Sequence, residues 1–186
     1  TIKGSPTYIP PELALEQPVS RAYDIWSLGC IFLEFITWII GGPVRLEKFR
    51  EARIARAYDG IFDDTYYTLF VSSSGRHAEV REGVSTWIEK LRGDPRCSQM
   101  VADLLDLVEK HMLRVNSKDR ITADELNSRL EKLLRKAEQD STYLLGDIEP
   151  TPMVSTSPPA SPAKVSWHLV DRTRSNPQRH IPGARA

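Results

Sequence analysis

Cysteine is almost missing from this 186-residue chain: Cys30 and Cys97 are the only two. Two thiols make no disulfide framework, which excludes a small cross-linked secreted domain. Cys30 sits in an apolar run and reads as a buried free thiol, which suits a reducing cytoplasmic or nuclear setting. Net charge is missing too. The formal balance is +0, from 25 basic and 25 acidic residues, so no whole-chain electrostatic case exists for nucleic acid or a membrane surface. The four histidines (His77, His111, His168 and His180) have no cysteine or acid at metal-ligand spacing, and no metal site is assigned. No apolar run is long enough to span a bilayer comfortably. The best one, Asp24 to Ile40, offers about 17 residues including Asp24 and Glu34, where roughly 20 mostly apolar ones are needed. There is no secretory leader and no initiator Met before Thr1-Ile2-Lys3-Gly4, so an intracellular chain cut from a longer gene product is expected. No internal repeat is present.

What is there suits one soluble domain plus a tail: 40% hydrophobic and 27% charged residues. The charge is unevenly spread. From Pro150 onward the chain carries +4 and its remainder −4. Seven of the 13 prolines also fall after Glu149, and such a segment buries too little apolar surface to offset chain entropy. The expected organisation is a folded part over 1–139 and a Pro/Ser/Arg-rich disordered tail over 140–186.

The folded part reads as mainly α. Pro6, Pro10, Pro11 and Pro18 make the first 19 residues an ordered loop, with a short helical turn from Glu12 to Leu15. Asp24 to Ile40 is apolar on nearly every side, which predicts a helix buried all round, with Trp26 and Trp38 as core residues. Gly41-Gly42 ends it. Pro43 opens a second, charged helix expected to reach Tyr58. Tyr66 to Val71 has strand-like composition without a partner nearby and reads as extended or irregular. Val80, Val84, Trp87, Ile88 and Leu91 share one helical face, predicting an amphipathic helix over His77–Leu91. Gly93-Asp94-Pro95 breaks it. Ser98 caps a helix to about Leu113. Thr122-Ala123-Asp124-Glu125 is a capping box for a last helix to about Gln139. The acidic group Asp59, Asp63 and Asp64 reads as a solvated turn.

Three segments carry more than secondary structure. The first is Gly4-Ser5-Pro6-Thr7-Tyr8-Ile9-Pro10-Pro11-Glu12. The second is Asp24-Ile25-Trp26-Ser27-Leu28-Gly29. The third is Asn116 to Leu126, around Arg120. In this order they resemble the end of the activation segment, the central helix and the last motif of eukaryotic serine/threonine protein kinases. Pro10 departs from the usual Ala of Ala-Pro-Glu; Pro11-Glu12 match. The resemblance covers residues 1 to about 139 and implies the C-terminal, large lobe of a kinase domain. Ser5, Pro6, Thr7, Tyr8, Ile9 and Pro10 would then form the substrate-docking loop, shaping the pocket for the residue after the acceptor. Glu12, Asp24, Trp26, Gly29 and Arg120 would be the scaffold. Arg120 would pair with Glu12, Asp24 would accept amide hydrogen bonds from the catalytic loop, and Gly29 would allow close approach of another element. Without that motif context Glu12, Asp24 and Arg120 read as ordinary surface charges.

The family's Gly-rich phosphate loop, Val-Ala-Ile-Lys strand, His-Arg-Asp loop and Asp-Phe-Gly do not occur in this sequence. The resemblance therefore implies ATP and Mg²⁺ in the intact parent and none bound by this chain, which holds no catalytic residue and is expected to be inactive alone. The implied partners are protein substrates and the missing N-terminal part of the kinase domain, with no nucleic acid and no membrane. The alternatives are a pseudokinase-like or truncated binding module acting through protein contacts, and an unrelated helical adaptor. In the tail, Thr151-Pro152, Ser157-Pro158 and Ser161-Pro162 resemble sites for proline-directed kinases. Pro159 and Pro162 form a bare P-x-x-P. The stretch from Gly42 to Arg92 is longer than the family pattern needs and reads as an insert. With the preceding lobe segments absent, the central helix is expected to expose a large apolar face.

Overall fold

The computed structural model describes residues 6–56, 60–73 and 75–146. The chain is mainly α. A 3₁₀ turn at Pro6–Tyr8 leads into the short helix α1 (Pro11–Ala14). Helix α2 (Ala22–Arg53) follows, then strands β1 (Ala55–Arg56), β2 (Phe62–Asp63), β3 (Tyr67–Ser72) and β4 (Gly75–Val80). Helices α3 (Glu82–Arg92), α4 (Gln99–Leu107) and α5 (Ala123–Gln139) complete the body, with a π turn at Val108–Met112 and 3₁₀ turns at Ser117–Asp119 and Ser141–Leu144.

α2 is two helices meeting at Gly42. Gly42 has φ 66 and ψ −165, a backbone region open in practice to glycine alone, and Pro43 restarts the helix where a missing N–H costs nothing. The second half stops at Arg53, short of the expected Tyr58, because Ile54 turns extended to enter β1. One face of α2 supplies Trp26, Cys30, Leu33, Ile36 and Ile40 to the core, against Val84, Trp87 and Ile88 of α3 and Leu105, Val108 and Met112 behind it. Phe49 stacks on Trp87 with ring centroids 5.3 Å apart. By length and mean hydropathy (1.7 over 18 residues) α2 could cross a membrane. Its break at Gly42 and its buried face make it the core helix of this fold.

The helix is not buried all round. Phe35, Trp38 and Ile39 are 60%, 53% and 61% exposed, so the expectation of Trp38 as a core residue is corrected, whereas Trp26 and Trp87 are buried. Ile31, Phe35, Trp38 and Leu46 line an open apolar groove of about 320 Å³ with Glu34.

Three further expectations are corrected. Tyr67–Ser72 does have a partner strand: it pairs antiparallel with Gly75–Val80, from Tyr67↔Val80 to Ser72↔Gly75. His77 to Val80 therefore lie in β4, and the helix begins only at Glu82. The periodicity misled because Val80 falls in phase with α3 while serving as the last residue of a strand. The boundary at residue 140 also moves. Ser141–Leu144 folds onto the body, with Tyr143 buried and its hydroxyl donating to Asp103 Oδ2 at 2.7 Å. The remaining tail, 147–186, with its Ser/Thr-Pro and P-x-x-P sequences, lies outside the described residues, as do Ser5 and Asp59.

The local signals elsewhere operate as written in the sequence. Ser98 Oγ accepts from Val101 N, and α3 ends on Gly93. Thr122 and Glu125 close a reciprocal capping box at the start of α5. The segment to Leu113 is helical throughout, but its last turn is π rather than α.

Candidate functional site

The segment Pro6–Pro10 is built as a short turn. Ile9 N donates to Pro6 O at 3.3 Å, and Pro10 is extended (φ −76, ψ 157), delivering Pro11 to the first position of α1. Two contacts tie the turn to α2: Ser27 Oγ donates to Tyr8 O at 3.0 Å, and Tyr8 OH donates to Glu34 Oε2 at 2.9 Å. A third runs to the loop after β2, where Thr7 Oγ1 donates to Asp64 Oδ1 at 2.8 Å.

Directly after the turn, α1 presents Glu12 into the protein. Arg120, 108 residues later, meets it as a two-pronged fork: Nη1 to Oε1 at 2.8 Å and Nη2 to Oε2 at 2.6 Å. Both side chains are fully buried. Burial of two charges costs several kcal/mol per ion unless every remaining group is paired (of order that size for isolated ions). Arg120 meets this condition. Its Nε donates to Arg114 O, Nη1 also to Ala22 O, and Nη2 also to Val115 O, so all five N–H groups have acceptors. The guanidinium lies 5.1 Å from the Trp26 ring centroid. A lysine could not satisfy this fork.

Gly29 meets the π turn. A Cβ on it would lie 3.0 Å from Met112 Cβ and 3.1 Å from Leu113 Cδ2, so α2 approaches that turn as closely as it does because the side chain is missing. Asp24 stands apart from this assembly. It is exposed on the first turn of α2. The structure thus brings Glu12, Trp26 and Arg120 together, stations Pro6–Pro10 beside them, and leaves Asp24 at the surface.

Sequence reasoning missed a second buried cluster behind the turn. Glu34 accepts from Tyr8 OH and from Arg53 Nη2 at 3.1 Å, and Tyr66 OH lies 3.1 Å from both Glu34 Oε1 and Cys30 O. The Arg53 guanidinium sits 4.2 Å from the Phe49 ring centroid and 4.5 Å from that of Tyr66, a cation–π contact with each of two rings that meet edge-on. Arg81 is a third buried arginine. It donates to the carbonyls of Asp63, Tyr67 and Arg53, to Asp63 Oδ1 at 2.6 Å and to Thr65 Oγ1 at 3.0 Å. A signal for Glu34 existed: it is the one charge in the apolar run from Ile25 to Ile40, and such a charge requires partners. Asp63 and Asp64 belong to this network rather than to a solvated acidic turn. Burial, and then the Glu34 acceptor, push the Tyr8 phenol up to about 12. Burial likewise holds Tyr66 and the Cys30 thiol well above their ordinary values. Tyr8 therefore stays a donor at any physiological pH.

Residues 1–130 match the family described as protein kinase domain. The chain belongs to the protein kinase family. This kinase chain is similar to serine/threonine-protein kinase TIO of Arabidopsis thaliana, 56% identical over 34 residues, which are 18% of this chain and 3% of the relative. The same identity over 34 residues joins it to serine/threonine-protein kinase fused of Drosophila melanogaster, covering 18% and 4%. A longer match, 30% identical over 77 residues, links it to serine/threonine-protein kinase Sgk1 of Rattus norvegicus, covering 41% and 16%. The kinase chain therefore spans only a small part of the length of the curated relatives it matches. No solved structure matches it.

Proposed function

We propose that residues 1–139 are the substrate-docking, C-terminal part of a serine/threonine kinase domain, and that the longer protein carrying them phosphorylates Ser or Thr hydroxyls of protein substrates. The observation that carries this reading is the buried Glu12–Arg120 fork placed directly behind the Pro6–Pro10 turn, in a chain of the kinase family. Phosphoryl transfer depends on positioning and electrostatics, so the surface that receives the acceptor segment must be rigid. The turn is suited to that role, with its prolines, its Tyr8 and Thr7 anchors and the ion pair beneath it. Ser5 would add the hydroxyl that reaches the catalytic loop, and Asp24, exposed in this chain, would receive that loop's amides.

ATP and Mg²⁺ would be bound by the preceding part of the domain, and this chain alone would hold neither and transfer nothing. The reading places the protein inside the cell, with protein partners and no nucleic acid or membrane. A second reading, a binding module without phosphotransfer, is favoured by the exposed apolar strip of Phe35, Trp38 and Ile39. The two separate in one experiment. The full-length protein is incubated with labelled ATP, Mg²⁺ and mixed protein substrates, and the products are hydrolysed for phosphoamino acid analysis. Phosphoserine or phosphothreonine is expected from the full-length protein and none from the 186-residue chain. A full-length protein that transfers no label supports the binding module and removes the kinase activity.

A further inference from the structure

The docking turn is held from two sides, and only one of them is the central helix. The other is the loop between β2 and β3, in the stretch that exceeds the family pattern. Asp64 Oδ1 accepts the Thr7 hydroxyl at 2.8 Å across 57 residues of sequence. Asp64 is itself fixed by its neighbours. Arg53 Nε donates to its carbonyl at 3.3 Å, and the preceding Asp63 pairs with Ala55 across the β1–β2 ladder. The Asp63 carboxylate turns back to accept from Thr65 N and Oγ1, at 3.1 and 2.8 Å. Arg81 then pins the whole loop by gripping Asp63, Thr65 and Tyr67 at once. A loop that only connected two strands would leave these groups to water. Here a buried arginine fork holds it in one shape, and that shape aims one carboxylate at the turn.

We propose that Asp64 is a positioning residue for substrate docking: the loop between β2 and β3, held by Arg53 and Arg81, is a latch that sets the conformation of Pro6–Pro10 through the Thr7 hydroxyl. The positioning role rests on the docking function proposed above, whereas the latch itself does not. As a positioning residue, Asp64 touches neither substrate nor nucleotide. Its effect passes through Thr7 to the turn, and the Ile9 N–Pro6 O hydrogen bond reports whether the turn is closed.

The test uses the full-length protein. In Thr7→Val and Asp64→Ala, amide hydrogen exchange at Ile9 is expected to rise roughly fivefold, the effect of losing one hydrogen bond of ordinary strength. The double variant should exchange no faster than either single one, because both remove the same bond. The KM for a protein substrate should rise in both variants while the KM for ATP stays. Thr7→Ser and Asp64→Asn, which keep a donor and an acceptor, should restore both readouts. Unchanged exchange at Ile9, or a double variant whose effect is the product of the single ones, overturns the latch and leaves the docking function standing. Faster exchange with an unchanged protein-substrate KM overturns the positioning role alone. A full-length protein without phosphotransfer overturns the docking function, even if the exchange pattern follows the latch.

Discussion

Cys30 shows what the interior demands of single residues. Its thiol is buried on α2 and its carbonyl lies within reach of Tyr66 OH. Burial raises the thiol well above its ordinary 9.0, and the Tyr8 and Tyr66 phenols are raised above 10.0 for the same first reason. In each case the neutral form is the one the fold holds. The unfolded chain ionises at lower pH than the native one, so these groups contribute stability that is full below about pH 9. That contribution is lost as pH rises toward the native values. We therefore expect the melting temperature of the full-length protein to fall between pH 9 and 11, and to fall less in Tyr8→Phe. A flat profile over that range would contradict the buried cluster. In the same protein, the Cys30 thiol should react with an exposed-thiol reagent at pH 8 only after denaturant is added, whereas Cys97, half-buried, should react in the native state.

At the scale of elements, Gly42 decides where one helix becomes two. An alanine there would have to hold φ 66 with ψ −165, so Gly42→Ala should cost about 1–3 kcal/mol in chemical denaturation. A variant as stable as the parent would mean that the break is not imposed by that residue. The Gly-Gly-Pro signal made this break legible in advance, as did the Ser98 cap and the Thr122–Glu125 box, because each acts over three or four residues. The β3–β4 hairpin was not legible for the opposite reason. Gly75-Arg76-His77-Ala78-Glu79-Val80 has little strand composition, and its pairing is supported from outside by Arg81 and Tyr66, whose hold on the hairpin no local pattern records. The site divides in the same way. Glu12 and Arg120 were readable because motifs mark both ends of a 108-residue separation. Glu34, Arg53, Asp64 and Arg81 belong to no motif, and they meet their partners across 11 to 57 residues only when the chain has folded.

For the whole molecule, two features oppose each other. The described body closes a continuous core around Trp26, Leu33, Trp87 and Leu105, yet Phe35, Trp38 and Ile39 of the same central helix face outward. An apolar strip of this kind on a free chain favours association. The isolated 186-residue chain is expected to bind a hydrophobic dye and to elute as concentration-dependent aggregates. A soluble monomer with a sharp two-state melt would contradict that expectation. One long-range tie that closes the body is the fork between Glu12 and Arg120. It joins α1, the helix that follows the turn, to the segment that leads into α5. A double-mutant cycle on the full-length protein, read by denaturant unfolding, measures it directly. Glu12→Ala and Arg120→Ala should each cost about 3–5 kcal/mol, since each strands a buried charge, and the pair together should cost well below their sum. Either single variant as stable as the parent, or costs that simply add, would contradict the buried clasp between Glu12 and Arg120.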